Sequence, residues 1–287
     1  MPSQTVDLHC HSTCSDGLLS PSDLVRRAHD NGVRFLALTD HDTMAGISEA
    51  QQTASQLENI QIIPGIELSA RYPETEIHIL GLGMDASHPA MQALIESQQA
   101  ARWQRAQQIG ELLAKRNIKH SFALAADLSK PGPPGRAHFA QALINQGAVR
   151  NFSQAFRQFL GDGKPCFVET EWASYKTIIA TIQAAKGEAY LAHPAGYQLS
   201  KTKLRSLIRD FAEARGDGLE VVSGKQEATQ AEFLYRQALL FNLSMSFGSD
   251  FHGPNPQTDL GDYPVADLLQ PILSRWESYE PSTSHSS

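Results

Sequence analysis

Cysteine is scarce in this sequence, which has only Cys10, Cys14 and Cys166 among its 287 residues. A small, odd number of cysteines argues against a disulfide framework and fits a reducing cytoplasm. Cys10 and Cys14 have the spacing of a metal clip, but the sequence has no second cysteine pair to complete a zinc site. We therefore expect ordinary buried thiols in a cytoplasmic protein.

Long apolar stretches are also missing. No run approaches the roughly 20 apolar residues that cross a bilayer, and residues Met1 to Val6 lack the basic and apolar regions of a secretory signal. Hydrophobic residues make up 41% and charged residues 19%, as is ordinary for a soluble globular protein. We expect no membrane partner, and no protein partner is evident.

Positive charge is scarce outside one region. The formal net charge is −7, which by itself argues against binding to nucleic acid. Residues 90–165, however, have a balance of +6, whereas the rest of the chain has a balance of −13. An acidic body suits cations and a basic region suits an anionic substrate. A helical region with a solvated basic face explains the same pattern equally well.

Short β-branched segments alternate with amphipathic segments along most of the chain. The predicted strands are Val6–Cys10, Phe35–Thr39, Gln61–Leu68, Glu76–Leu82, Ala189–Ala192, Gly218–Val222 and Leu243–Phe247, and the predicted helices between them are Ser20–Asn31, Thr43–Leu57, Tyr175–Ala185, Lys201–Ala214 and Ala228–Phe241. This alternation is typical of an α/β fold and favours a parallel sheet. About seven such units predict a closed or nearly closed barrel.

The alternation stops between residues 89 and 164. Helical patterns cover Met91–Arg116, Arg136–Gln146 and Ser153–Leu160, and a Pro- and Gly-rich linker follows Lys130. We predict a barrel built from residues 1–88 and 165–276, with residues 89–164 as a small helical insertion at its mouth that binds substrate or closes as a lid. Residues 277–287 are polar and Ser-rich, and we expect a flexible tail there.

Histidines and carboxylates stand on the predicted strands or at their ends. They are His9, His11, Asp40, His41, Glu67, His78, His193, Asp250 and His252. The carboxyl ends of parallel strands converge on one mouth of a barrel, where active sites are found. Each motif alone is weak evidence, but so many imidazoles and carboxylates in one place need cations to balance and partner them. The sequence therefore predicts a cluster of divalent metals.

Four motifs that contain these residues resemble, in order, the signature motifs of the PHP (polymerase and histidinol phosphatase) superfamily. They are Asp7–Gly17, Leu38–Asp42, Leu191–Pro194 and Gly248–His252, and the resemblance extends from about residue 5 to residue 255. It implies a distorted (β/α)7 barrel with a site for three metal ions. Gly135–Ala140 and Gly163–Pro165 in the insertion further resemble the TrpH/YciV-like subgroup, although that subgroup usually has proline where this chain has Ala137.

The resemblance also implies a set of metal ligands. One ion would be bound by His9, His11, Glu67 and Asp250, a second would share Glu67 and add His78 and His193, and a third would take Asp16, His41 and His252. Imidazole and carboxylate ligands suit Mn²⁺, which we expect first, or Fe²⁺ or Zn²⁺. Asp40 is expected to orient His41, the ligand next to it in the sequence, without binding the metal itself. The alternative is that Asp40 caps the helix that follows.

The subgroup includes a 5′-3′ exoribonuclease and nucleoside 3′,5′-bisphosphate phosphatases. The resemblance thus implies a phosphoesterase acting on nucleotides or short single-stranded RNA, with metal-activated hydroxide attacking phosphorus. Glu67, His193, Asp250 and His252 are the expected catalytic residues, and Arg136, His138 and Lys164 the expected phosphate-binding residues. A small-molecule monophosphate phosphatase and a metal-binding module without turnover are the two alternatives.

Overall fold

Seven strands form one nearly closed barrel in the computed structural model, which describes residues 5–73, 75–254 and 258–264. The strands are β1 (Val6–Asp7), β2 (Phe35–Leu38), β3 (Gln61–Tyr72), β4 (Thr75–Leu82), β5 (Glu188–Leu191), β6 (Gly218–Ser223) and β7 (Ser244–Gly248). Their order in the sheet follows the sequence. The Leu8 amide donates to the Phe247 carbonyl at 3.0 Å, so the first and last strands meet. The predicted barrel is confirmed.

The expectation of a parallel sheet is wrong at one strand. β4 runs antiparallel to both β3 and β5, whereas the other neighbouring pairs are parallel. The physical reason is the short turn between Tyr72 and Thr75, because two strands joined so tightly can pair only as an antiparallel hairpin. The reversal brings the first half of β4 to the mouth at which the parallel strands end.

Nine helical segments surround the barrel or lie in the insertion. They are α1 (Pro21–Asp30), α2 (Ile47–Ala54), α3 (Pro89–Ala114), α4 (Ser121–Leu128), α5 (Arg136–Asn145), α6 (Phe152–Ala155), α7 (Tyr175–Ala184), α8 (Lys201–Glu213) and α9 (Ala228–Leu240) within the described residues. A π-helical turn (Phe156–Leu160) extends α6, and a 3₁₀ turn (Pro194–Gly196) follows β5. None of these helices is long and apolar enough to span a membrane.

Local chemistry explains where several helices begin. The Ser20 hydroxyl accepts from the Asp23 amide and Pro21 occupies the first turn, so α1 starts where the sequence predicts. α2 starts four residues later than predicted, because Asp42 has a left-handed φ of 51° and the Thr43 hydroxyl accepts from the Ala45 amide in a turn. Sequence reasoning missed α4, an eight-residue helix too short to show a clear period.

The apolar residues form two separate clusters. The larger one fills the barrel and its helices and includes Met91 and Leu94 of α3. The smaller one joins the later part of α3 to α4, α5 and the α6 extension, and it also includes Cys166. The first turns of α3 therefore pack on the barrel. The proposed division at residues 89–164 stays a prediction, and the predicted tail at 277–287 lies outside the described residues.

Candidate metal centre

The predicted ligands meet at one mouth of the barrel. His9 and His11 follow β1, His41 follows β2, Glu67 lies within β3, His78 lies within β4, His193 follows β5, and Asp250 and His252 follow β7. His78 reaches the mouth only because β4 is antiparallel. Asp16 comes from the loop between β1 and α1.

Glu67 is at the centre of the cluster. Its Oε1 atom lies 2.9 Å from His78 Nδ1 and 2.8 Å from His193 Nε2. Its Oε2 atom faces three other imidazoles: His41 Nδ1 at 3.0 Å, His11 Nε2 at 3.3 Å and His9 Nε2 at 3.4 Å. Because each oxygen faces a different set of nitrogens, this carboxylate could contribute a donor atom to two metal sites.

Two further carboxylates, those of Asp250 and Asp16, complete the sets of donor atoms. Asp250 Oδ1 lies 3.4 Å from both His9 Nε2 and His11 Nε2, and so it joins the group around Glu67 Oε2. Asp16 Oδ1 lies 3.4 Å from His252 Nε2 and 3.9 Å from His41 Nε2. The three sets of residues that the family resemblance implied are therefore each brought together.

Four buried polar atoms in this cluster have no hydrogen-bond partner among the described residues. They are His9 Nε2, His11 Nε2, Asp16 Oδ1 and His41 Nδ1. Buried polar groups are almost always paired, since leaving one unpaired costs about 1–3 kcal/mol. Three overlapping groups of donors, each within 4.8 Å, surround these atoms. The donor set fits divalent metal ions, which would satisfy the unpaired atoms.

The electrostatics of the carboxylates favour cations. Burial alone would raise the pKa of Glu67, but the imidazoles of His41, His78 and His9 outweigh it and hold that pKa well below its usual range. The pKa values of Asp16 and Asp250 are likewise held well below theirs, against burial, by neighbouring imidazoles. These three groups are anionic throughout the neutral pH range.

Two residues of the cluster have unusual backbone conformations. His193 has a φ of 29° and Asp250 a φ of 52°, both in the left-handed region that non-glycine residues rarely occupy. Such conformations cost on the order of 1–3 kcal/mol each and persist only where surrounding contacts impose them. The Asp250 amide donates to the His9 carbonyl at 2.9 Å, which is one such contact.

Glu220 supports two residues of the cluster, His9 and His193. It is fully buried on β6, and its Oε1 atom lies 3.0 Å from His9 Nδ1. Its other oxygen accepts from the backbone amide of His193. A proton on His9 Nδ1 leaves Nε2 as the free nitrogen, which faces the centre of the cluster. A glutamate inside the apolar strand 218–223 was the sequence signal for this role.

Asp40 contacts the loop that carries Asp16 rather than a helix end. Its two oxygens accept from the Ser12 amide at 2.7 Å, the Ser12 hydroxyl at 2.6 Å and the Ser15 hydroxyl at 2.6 Å. The next helix, α2, begins at Ile47, so Asp40 does not cap it. Its influence on the ligands is exerted through the loop of residues 12–16.

The predicted phosphate-binding residues are not equally close to the cluster. His138 lines a small cavity together with Asp16, His41 and Arg102. Arg136 lies 3.6 Å from Glu76, whose other neighbours include His78 Nε2 at 3.5 Å. Lys164 is exposed and lines neither this cavity nor the larger cleft beside His193.

The long helix α3 contributes buried arginines that the sequence did not single out. Arg102 Nε donates to Asp42 Oδ2 at 2.6 Å, and both side chains are buried. Arg105 lies over the Trp172 ring and 4.0 Å from Glu76. Helix α3 is thus attached to the barrel directly beside the cluster of predicted ligands.

Comparison with known proteins agrees with this geometry. The PHP domain family matches residues 7–223, and the chain belongs to that family. A 5′-3′ exoribonuclease from Haemophilus influenzae is 45% identical over 273 residues, covering 95% of this chain and 98% of that protein. A 3′,5′-nucleoside bisphosphate phosphatase from Chromobacterium violaceum is 38% identical, covering 87% of each protein.

A solved structure shares the whole fold. It is an amidohydrolase from Chromobacterium violaceum with bound sulfate and no metal, which superposes with a TM-score of 0.89 at 35% identity. The match covers 97% of this chain and 99% of that one. Barrel and insertion are therefore both shared with that protein.

Proposed function

We propose that this chain is a metal-dependent phosphoesterase that removes nucleotides from the 5′ end of short 5′-monophosphorylated RNA and also hydrolyses nucleoside 3′,5′-bisphosphates. The observation that carries the proposal is the set of unpaired buried atoms on His9, His11, Asp16 and His41, gathered around anionic Glu67. Similarity to the exoribonuclease and the bisphosphate phosphatase supports the choice of substrates.

The two substrates differ by one substituent on phosphorus. A nucleoside 3′,5′-bisphosphate is the first nucleotide of an RNA chain with a free 3′-phosphate. In both cases water oxygen forms a new bond to phosphorus, the bond to O3′ breaks, and O3′ takes up a proton. On RNA the phosphate remains on the next nucleotide, which therefore again begins with a 5′-monophosphate.

Three ions, with manganese first and iron or zinc as alternatives, are proposed for the donor sets described above. Such cations supply Lewis acidity at the phosphate and lower the pKa of water that they bind. Glu67 and Asp250 supply anionic oxygens, and His193 and His252 supply nitrogens. His252 Nδ1 lies 2.9 Å from the Asp250 carbonyl, which it can serve as a donor, so Nε2 is the nitrogen left for a ligand.

His138 is suited to donate a hydrogen bond to a phosphate oxygen. Burial lowers its pKa, so the ring is neutral near pH 7. Its Nδ1 atom accepts from the Gly135 amide at 3.0 Å, which places the ring proton on Nε2. Arg136 adds a half-buried guanidinium beside Glu76, and its planar fork matches the geometry of a phosphate.

The test compares two substrates, 3′,5′-bisphosphoadenosine and a short 5′-monophosphorylated RNA, in the presence of manganese. We expect phosphate release from the first and stepwise release of mononucleotides from the second. Glu67→Gln keeps the size of the side chain but removes its charge, and it should lower kcat for both by at least about 100-fold. Exposed Glu213→Gln is the matched control, and elemental analysis reports the bound metal. Normal metal content with full activity in Glu67→Gln contradicts the proposal.

A further inference from the structure

Two cavities of very different size adjoin the metal centre. On the insertion side, the cavity beside Asp16, His41, Arg102 and His138 has a volume of about 10 Å³, which is room for a single water molecule. A cleft of about 460 Å³ lies beside His193 and Asp250. That volume lies in the range of sites for small organic ligands and is sufficient for a nucleotide.

Elements that the metal centre does not use form the walls of the larger cleft. One wall is the 3₁₀ turn at Pro194–Gly196, followed by Tyr197. The other runs from Ser223 at the end of β6 through Lys225 in the loop to Gln230 in the first turn of α9. The lining carries the cation of Lys225 and the polar side chains of Ser223 and Gln230, which suit a phosphorylated sugar. Tyr197 is held in place by the His78 amide, which donates to its hydroxyl at 2.7 Å.

The direction in which an RNA chain would run through the site follows from the difference between the small cavity on the insertion side and the larger cleft beside His193. An enzyme that requires a free 5′-phosphate must block the path beyond that phosphate, and the cavity on the insertion side is the smaller of the two. The remainder of the chain must leave through an opening that continues into solvent. The cleft beside His193 meets that condition and touches the metal centre at His193 and Asp250.

We propose that this cleft binds the second nucleotide of an RNA substrate, with Lys225 contacting its phosphate backbone. This inference rests on the proposed function, because it concerns the part of an RNA that a nucleoside bisphosphate lacks. The cleft therefore distinguishes the two substrates and favours RNA.

The ion-pair partner of Lys225 makes it possible to test the inference by strengthening RNA binding as well as by weakening it. Its ammonium group pairs with Asp262, and the two side chains are 44% and 40% exposed. If Lys225 only fixed the position of the loop through this ion pair, replacement of Lys225 and replacement of Asp262 would change KM for RNA in the same direction. If Lys225 contacts RNA, removal of Asp262 frees the cation and strengthens binding, whereas removal of Lys225 leaves an uncompensated carboxylate beside the substrate.

The experiment measures kcat and KM for a 5′-monophosphorylated RNA trimer and for 3′,5′-bisphosphoadenosine. We expect Lys225→Met to raise the ratio of the two KM values, RNA over bisphosphate, by about fivefold, and Asp262→Asn to lower it. Lys225→Met should also reduce by about one the slope of log KM against log salt concentration for RNA. Exposed Lys186, which precedes β5 at the opposite end of the barrel, supplies the control variant Lys186→Met.

Failure of the inference can be distinguished from failure of the proposed function. If the unaltered enzyme hydrolyses neither substrate, the proposed function fails. If it hydrolyses both, but the Lys225 and Asp262 variants leave the ratio unchanged or move it in the same direction, the cleft assignment alone is overturned. Gln230→Ala gives a second check in the same cleft without a change of charge, and it should raise KM for RNA more than KM for the bisphosphate.

Discussion

Glu220 shows how one buried carboxylate positions two ligands. It accepts from His9 on one side and from the amide of His193 on the other, and His193 holds a left-handed backbone conformation. Both contacts are with predicted ligand residues, so Glu220 acts through its neighbours. Groups in such positions typically change metal affinity by 10- to 100-fold when they are replaced.

We expect Glu220→Gln to reduce manganese affinity by about 10- to 100-fold. Glutamine has one accepting oxygen, and so its amide nitrogen must face one of the two donors and break that hydrogen bond. Calorimetric titration of the metal-free protein measures the effect. Asp217→Asn is the matched control, because Asp217 precedes the same strand at its opposite end and accepts from the Ala189 amide at 2.8 Å. Equal losses of manganese affinity in the Glu220 and Asp217 variants would show a general effect on the barrel instead.

Several of the predicted ligands, such as His41 and Asp250, could be identified from the sequence because they follow a strand and stand beside other polar residues. The supporting residues could not be read in the same way. Asp42, for example, is the second aspartate of Leu38–Asp42, but its partner Arg102 lies 60 residues later on a helix of the insertion. No local pattern indicates that pairing.

At the scale of elements, α3 connects the insertion to the metal centre. It starts on the barrel core through Met91 and Leu94, passes the mouth at Arg102, and then joins the core of the insertion at Ile109. The Arg102 guanidinium also donates to the Ser69 hydroxyl at 3.0 Å. Arg102 thus connects this helix to β3 through a hydrogen bond and to Asp42, the residue that follows His41, through an ion pair.

Breaking this ion pair should destabilise the protein strongly. Arg102→Met leaves Asp42 buried without its cation, and loss of one partner of a buried pair costs about 3–5 kcal/mol. We expect a decrease of that size in the free energy of unfolding, measured by urea denaturation. The double variant Arg102→Met with Asp42→Asn should recover part of it, because the amide carries no charge.

Gln104→Met is the control on the same helix, since Gln104 is exposed two residues away. An Arg102→Met variant no less stable than this control would mean that the ion pair with Asp42 does not contribute to holding α3 on the barrel. The long helical pattern of α3 was evident in the sequence. Its attachment to the barrel was not, because a buried arginine and a solvent-exposed arginine look the same in a sequence.

At the scale of the whole molecule, the metal centre joins elements from both halves of the barrel. Its ligands come from β3 and β4 and from the segments that follow β1, β2, β5 and β7. Bound cations should therefore stabilise the whole barrel by mass action, by about 2.7 kcal/mol at a concentration 100 times the dissociation constant.

The stabilisation of the barrel by bound cations should increase with pH. Burial alone would lower the pKa of His78 and His252, but Glu67 and Asp16 outweigh it and raise those pKa values to about 9 and about 10. The protonated rings stabilise the metal-free fold fully below pH 6.5, and that contribution is lost as the pH rises toward these values. Metal must displace the same protons, so its apparent affinity rises over this range.

The measurement is the manganese-induced increase in Tm at pH 6, 7 and 8, at a fixed manganese concentration. We expect the increase to be largest at pH 8 and smallest at pH 6. Calorimetry in buffers of different ionisation enthalpy gives the number of protons released. An increase in Tm that is independent of pH, with no protons released, would contradict this assignment of the imidazoles.

The sequence by itself determined the class of fold and indicated the polar residues that meet at the mouth of the barrel, whereas the division at residues 89–164 stays a prediction. Alternating apolar segments predict an α/β barrel because side-chain burial requires that pattern, and clustered histidines and carboxylates predict cations because they need partners. The tertiary structure alone decided the reversal of β4, the support of His9 by Glu220, the pairing of Asp42 with Arg102 and the difference between the two cavities. Each of these depends on contacts between residues far apart in the chain, which local sequence patterns do not encode.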